Sequence, residues 1–400
     1  MKNIQEFRLD TWVEKYQATV RLQGSAVNPL SLAELHKLAP EGTPGPVDQD
    51  LVLSYGDVQG TLKLRERIAE LHSAASSPSG PEFKLTAANV IITPGSIMAN
   101  YLALTSLVGP GDHVICQYPT FPQLWVVPRF QGAEVSLWRL RRGETSWEAS
   151  LDELRGLVKE NTKVIIINNP NNPTGAVLPA STLHSLIALA AAHNITLYSD
   201  EVFRPLFHGA TPSPPPLISL GYANTLSTGS VSKALGLPGV RVGWVVARDR
   251  ALLARIANAR HYTTIAVSQL DEGVAAFALS PAVLPRIVAR NLDVCARAIA
   301  LLRAFVARNP DRVQWIAPAG AGTAFVRVLE AAVGGGGAPV DDGAFAARVL
   351  AETGVGIVPG GYCFEDGEDE ELKGYVRIAI GDEERLREGL EGLERVLRSG

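Results

Sequence analysis

Between residues 51 and 253 the chain alternates segments carrying apolar residues at helical spacing with short, unbroken apolar runs. Residues 62–75 (LKLRERIAELHSAA) read as an amphipathic helix, 89–93 (NVIIT) as a buried strand and 96–108 as a helix. Strands follow at 113–117 (HVICQ), 162–168 (TKVIIIN), 196–199 (TLYS) and 241–246 (RVGWVV), with a helix at 181–194 between two of them. Apolar strands alternating with helices predict an α/β domain, a mostly parallel sheet covered on both faces. From about residue 281 a long helical stretch leads to strands at 323–329 (TAFVRVL) and 374–380 (GYVRIAI), a smaller α+β unit. The expected division is an N-terminal arm, 1–45, packed with the small domain; a large domain, 46–285; and the remaining small domain, 286–400. Pro/Gly clusters at 40–46, 76–81, 212–216 and 334–337 punctuate the chain. The first reads as a hinge and the others as surface loops. No internal repeat is visible.

Composition narrows the function classes. Of 400 residues 46% are hydrophobic and 20% charged, an ordinary globular balance rather than a disordered one. A net charge of −4 gives no reason to expect a nucleic acid or an anionic membrane as partner. No segment approaches the roughly 20 apolar residues that span a bilayer. The N-terminal MKNIQEFRLDTWVEKYQ interleaves charges too densely for a signal-peptide core, so a cytoplasmic protein is expected. Cys116, Cys295 and Cys363 are too dispersed for a disulfide framework or a metal-binding pair, and read as free thiols with no metal site.

Four short motifs carry candidate chemistry. In SVSKALGLPGVR (230–241), Lys233 follows a β-like run and precedes a Gly/Pro loop; held in a desolvating or cationic setting, its amine could form a Schiff base. Alone, such a lysine is usually a solvated charge. In YSDEVF (198–203), Asp200 falls at the carboxyl end of an apolar strand, the edge where α/β sheets bind ligands. A helix-capping aspartate is the plainer reading of it in isolation. INNPNNPTG (167–175) sets a constrained, amide-rich loop on the same edge, or an ordinary turn. TPGSIMAN (93–100) places a glycine turn at a helix start, where free N–H groups suit a phosphate. It matches neither the dinucleotide fingerprint nor the P-loop.

Taken in order, the phosphate turn, the Asn-Pro loop, the aspartate and Ser-x-Ser-Lys with an arginine eight residues on resemble the class I/II aminotransferases. These are fold-type I enzymes dependent on pyridoxal 5'-phosphate, and the likeness spans about residues 51–380. The resemblance implies that Lys233 forms the Schiff base and moves the proton, while Asp200 pairs with the pyridine nitrogen. Asn172 would bond the ring oxygen O3′ and Phe121 stack on the ring. Gly95, Ser96, Ile97, Ser230 and Arg241 would hold the phosphate. Tyr55, in SYGDVQG, would reach the phosphate of a neighbouring subunit, which implies a homodimer with shared active sites. Arg377, in YVRIAIG, would clamp the α-carboxylate of an amino acid substrate as a bidentate pair, and Gly24 would lie in a substrate loop of the arm.

The resemblance implies an aminotransferase acting on an α-amino acid with a 2-oxo acid acceptor, and two features bear against that reading. The family pattern has tyrosine three residues after the aspartate, where this chain has Phe203. Loss of that donor removes a hydrogen bond worth about 0.5–1.5 kcal/mol. Residues 9–35, with LDTWVEKY and GSAVNPLSLAEL, also resemble capreomycidine synthase-like enzymes, which implies a lyase or cyclase chemistry as the alternative.

Overall fold

The computed structural model describes residues 3–73, 84–209, 212–330, 337–367 and 370–399. The predicted loop at 76–81, the end of the predicted helix at 74–75 and glycines 334–336 lie outside the described residues. The large domain is built on an eight-stranded sheet. Its order is Val90–Thr93, Gly243–Ala247, Thr225–Ser230, Thr196–Asp200, Thr162–Asn168, His113–Tyr118, Glu134–Arg142 and Trp147–Ala149. The five strands from Thr225–Ser230 to Glu134–Arg142 pair in parallel. Gly243–Ala247 runs antiparallel to both its neighbours, and Trp147–Ala149 is antiparallel at the far edge.

Both faces of this sheet are covered, which is why its central strands are apolar without alternation. On one face Ala99, Leu102, Leu124 and Leu253 of three helices pack on Val114, Ile166 and Val245. On the other, Leu154, Leu183 and Leu186 pack on Ile115, Ile165 and Leu197. The parallel strands therefore end on one common edge, where Asn168, Asp200 and Thr228 stand side by side in register.

The small domain has a four-stranded antiparallel sheet in the order Val313–Trp315, Thr323–Val328, Tyr375–Ala379 and Val358–Pro359. The helices Asp342–Thr353 and Glu383–Ser399 bury Val349, Leu386, Leu390 and Leu393 in its core. The arm joins the same core. Val20–Arg21 pairs in parallel with Val355–Gly356, and Trp12 Nε1 donates to the Ile357 carbonyl at 3.1 Å. Farther along the arm, Leu35 and Ala39 are buried instead with Leu64, Ile68 and Val90. The helix Leu284–Arg308 spans the two domains, giving Ile287 to the Leu64 cluster and Leu302 and Phe305 to the small-domain core.

Some elements differ from the sequence pattern. The strand expected at 241–246 begins only at Gly243, because a 3₁₀ turn, Pro238–Val240, leaves Arg241 in the left-handed region at φ +53. Glu134–Arg142 and Trp147–Ala149 were not expected as strands, nor Arg8–Lys15 as a helix. No helix among the described residues is long and apolar enough to cross a membrane. Cys116, Cys295 and Cys363 are buried free thiols.

Candidate active site

A cavity of about 390 Å³ opens at the common strand edge, between the large domain and the arm with its attached small domain. Lys233, Asp200, Asn172, Phe121, Ser96, Ile97, Arg241, Arg377 and Gly24 all line it.

Asp200 ends its strand almost wholly buried. One carboxylate oxygen accepts from the Asn100 side-chain amide at 3.0 Å and the other from the Val202 N–H at 3.1 Å. Asn100 is oriented in turn, since the Tyr198 and Thr228 hydroxyls both donate to its carbonyl at 2.7 Å. Burial pushes the Asp200 carboxyl up to about 6, against the lowering effect of these donors and of Lys233. A cation placed before it would restore the charged form, because opposite charge favours ionisation.

The asparagine-rich loop is held by its own amides. Asn168 donates to the Asp200 carbonyl at 3.0 Å, Asn171 donates to the Pro119 carbonyl at 3.0 Å, and Asn169 accepts from the Leu178 N–H at 2.9 Å. These bonds leave Asn172 facing the cavity, where its carbonyl accepts from Arg377 Nη1 at 3.1 Å. Arg377 comes from the small-domain strand Tyr375–Ala379 and is buried. Its Nη2 donates to the Gln23 carbonyl at 2.5 Å, while its Nε has no partner among the described residues. Burial lowers its pKa to about 10, so the guanidinium is charged at neutral pH, and among the described residues it forms no ion pair with a carboxylate. A buried guanidinium in that condition selects an incoming anion.

Lys233 follows the strand Thr225–Ser230, in a loop fixed where the Val27 N–H donates to its carbonyl at 3.3 Å. Burial, then the charges of Arg377 and Arg241, bring its amine down to about 8, only partly opposed by Asp10 and Asp200. A neutral amine is therefore available at a pH where a solvated lysine is a cation.

The helix Gly95–Leu107 begins at the cavity with no side-chain cap on its first turn. Gly95 has φ +77, and a Cβ there would stand 2.5 Å from Arg241 Nη2. Gly243 is equally tight, since a Cβ on it would meet Ser96 N at 2.4 Å. Helix N-terminus, Ser96 and an arginine against a glycine form an anion cradle. Ser230 is buried behind it, its hydroxyl accepting from the Ser232 N–H at 3.1 Å, and Ser232 lines the cavity instead. Phe121 packs edge-on against Phe7, with ring centroids 5.3 Å apart.

Three assigned residues are not part of the cavity lining: Gly95 and Ser230, which lie directly behind it, and Tyr55, which stands apart. It is 84% exposed and outside the cavity of its own chain. Several cavity residues were given no role in the sequence reading, among them Asp10, Gln23, Ser25, Asn100 and Ser232. Asn100 sits inside an apolar helix, and only its equivalence in space with Asp200 reveals it.

The comparisons with known proteins agree with this geometry. The family model for aminotransferase class I and II matches residues 32–393. Capreomycidine synthase of Streptomyces vinaceus is 32% identical over 357 residues, covering 88% of this chain and 85% of its own. Arginine–pyruvate transaminase of Pseudomonas aeruginosa is 33% identical over 257 residues, covering 62% of each chain. A crystal structure of a PLP-dependent aminotransferase from Streptococcus suis has a TM-score of 0.85 and 33% identity, with 99% of this chain and 98% of that one covered. The PLP-dependent cyclase OrfR has a TM-score of 0.84 and 28% identity, covering 100% and 98%. The glycine-walled anion cradle, the buried aspartate and the lowered lysine amine fit pyridoxal 5'-phosphate. The chain is thus a fold-type I enzyme dependent on that cofactor, and it belongs to the class I and II aminotransferases.

Proposed function

We propose that the enzyme transaminates an α-amino acid against a 2-oxo acid, with Lys233 as the cofactor's attachment point and as the base. The observation that carries this reading is one cavity holding Lys233, Asp200 and a buried Arg377 with an unpaired N–H. When bound, pyridoxal phosphate supplies the electron-withdrawing ring that makes the Cα proton of an amino acid removable. The chain supplies the rest. Arg377 would fix the α-carboxylate, and Lys233 Nζ would take the Cα proton and deliver it to C4′ of the cofactor. Asp200 keeps a positive charge at the ring nitrogen, while Asn172 and Phe121 orient the ring. The Gly95–Ile97 turn, Ser230 and Arg241 hold the phosphate.

A homodimer belongs to the same reading. Tyr55, Val52, Leu53 and Tyr262 are 77–85% exposed on neighbouring segments, tied together where Gln269 donates to the Ser54 carbonyl and Arg260 to that of Val58. Large apolar side chains exposed together mark an association surface. Tyr55 would then complete the phosphate site of the partner.

A second reading has a specific support. Phe203, buried with Val202 and Ala321, lines the cavity without a hydroxyl, and a capreomycidine synthase is among the relatives. Here the same residues would remove the Cα proton before a group is lost from Cβ or a ring closes. Incubating the holoenzyme with amino acids, with and without pyruvate, separates the two. Transamination predicts turnover only with the oxo acid, and alanine as co-product. Turnover without an acceptor, releasing ammonia or a cyclised product, overturns it.

The anion cradle makes a separate prediction. In Gly95→Ala the new methyl must displace Arg241 and adopt a left-handed backbone, costing about 1–3 kcal/mol. Titration of the apo-protein should show cofactor affinity weakened roughly 10- to 100-fold. An unchanged affinity would remove Arg241 and this turn from the phosphate site.

A further inference from the structure

One carboxylate in the cavity has no part in the reading above. Asp10 stands in the first turn of the helix Arg8–Lys15, whose Leu9, Asp10 and Val13 form a wall of the cavity. That wall is anchored by Trp12, through its bond to the Ile357 carbonyl and its packing on Tyr16 and Tyr362, and by Phe7 against Phe121. Among the described residues the Asp10 carboxylate has neither a hydrogen bond nor an ion pair. Partial burial raises its pKa, and the positive charges of Lys233 and Arg377 oppose that rise. It is therefore within electrostatic reach of both groups that would meet an amino acid's amine and carboxylate.

We infer that Asp10 receives the cationic end of the substrate side chain, so that the cavity takes an α-amino acid whose methylene chain ends in a guanidinium or ammonium group. The inference rests on the assignment of Arg377 to the carboxylate and Lys233 to the amine. With a substrate bound, both cations nearest Asp10 are engaged elsewhere, and its carboxylate, on the cavity wall and open to solvent, is left without a countercharge. A neutral side chain gains nothing from that charge, whereas a cation forms a charge-assisted hydrogen bond with it. The other charged groups of the lining, Asp200, Lys233, Arg241 and Arg377, already have roles. Leu9, Val13, Phe121, Val202 and Phe203 supply apolar walls for a methylene stem.

The test reads binding, not turnover, from the spectral shift of the bound cofactor on titration with L-arginine, L-lysine, L-citrulline and L-norleucine. The native enzyme should bind arginine or lysine about tenfold or more tightly than citrulline and norleucine. In Asp10→Asn the ratio of cationic to neutral affinity should fall about tenfold, and Asp10→Glu should recover part of it. Whichever of arginine and lysine binds tighter identifies the head group. A native enzyme without the cationic preference, or an Asp10→Asn variant with the ratio unchanged, overturns the inference. A preserved preference in an enzyme that turns over without an oxo acid would overturn transamination while leaving this inference standing.

Discussion

Lys233→Ala is expected to lose all covalently held cofactor and to turn over at least about 10²–10⁴-fold more slowly than the native enzyme. Two functions disappear together. The amine proposed to attach the cofactor is gone, and so is the cavity amine that burial and neighbouring charge bring down to about 8. Folding should survive, because the loop around Lys233 is held through its carbonyls, that of Lys233 accepting from the Val27 N–H and that of Ala234 from the Asn291 side-chain amide. The visible absorption of the dialysed variant and its single-turnover rate check both parts. Native-like turnover would return Lys233 to the status of a solvated charge.

Asp200→Asn is expected to keep bound cofactor but to lower kcat by about 10²–10³-fold. The variant removes the buried carboxylate proposed to face the ring nitrogen, and breaking a buried charge pair costs about 3–5 kcal/mol. It also disturbs the support behind it. Both oxygens of Asp200 accept a donor, from Asn100 and from the Val202 N–H, and an asparagine has a single acceptor for the two. Steady-state kinetics at saturating substrate, with cofactor occupancy followed by absorption, separates the loss of catalysis from loss of binding. A kcat within about threefold of native would show that the charge at residue 200 is dispensable.

The residues that were legible in the sequence share a physical feature. The strands 162–168 and 196–199 could be read because both faces of the sheet are covered, which makes their composition almost wholly apolar. Glu134–Arg142 could not, since its exposed ends carry Glu134, Arg141 and Arg142 and blur the run into a charged loop. The helix Arg8–Lys15 was hidden in the same way, for it buries only Leu9 and Trp12. Asp200 announced itself as the end of an apolar strand, and Asn172 and Lys233 through the Gly, Pro and Asn punctuation of their loops. Asp10 and Asn100 gave no such signal. One looks like a solvated helix face and the other like a helix interior, and only folding over some hundred or more residues brings them to the cavity. Arg241 lay between the two cases: its motif was visible, but the left-handed turn that aims it at Gly95 was not.

The most direct test of the account is to trap the cofactor on the chain. Borohydride reduction of the native holoenzyme, then proteolysis and mass spectrometry, should find the pyridoxyl phosphate adduct on the peptide carrying Ser230, Ser232 and Lys233, at Lys233 alone. An adduct on another lysine, or a fully loaded protein with none, would contradict the assignment of this cavity as the catalytic centre.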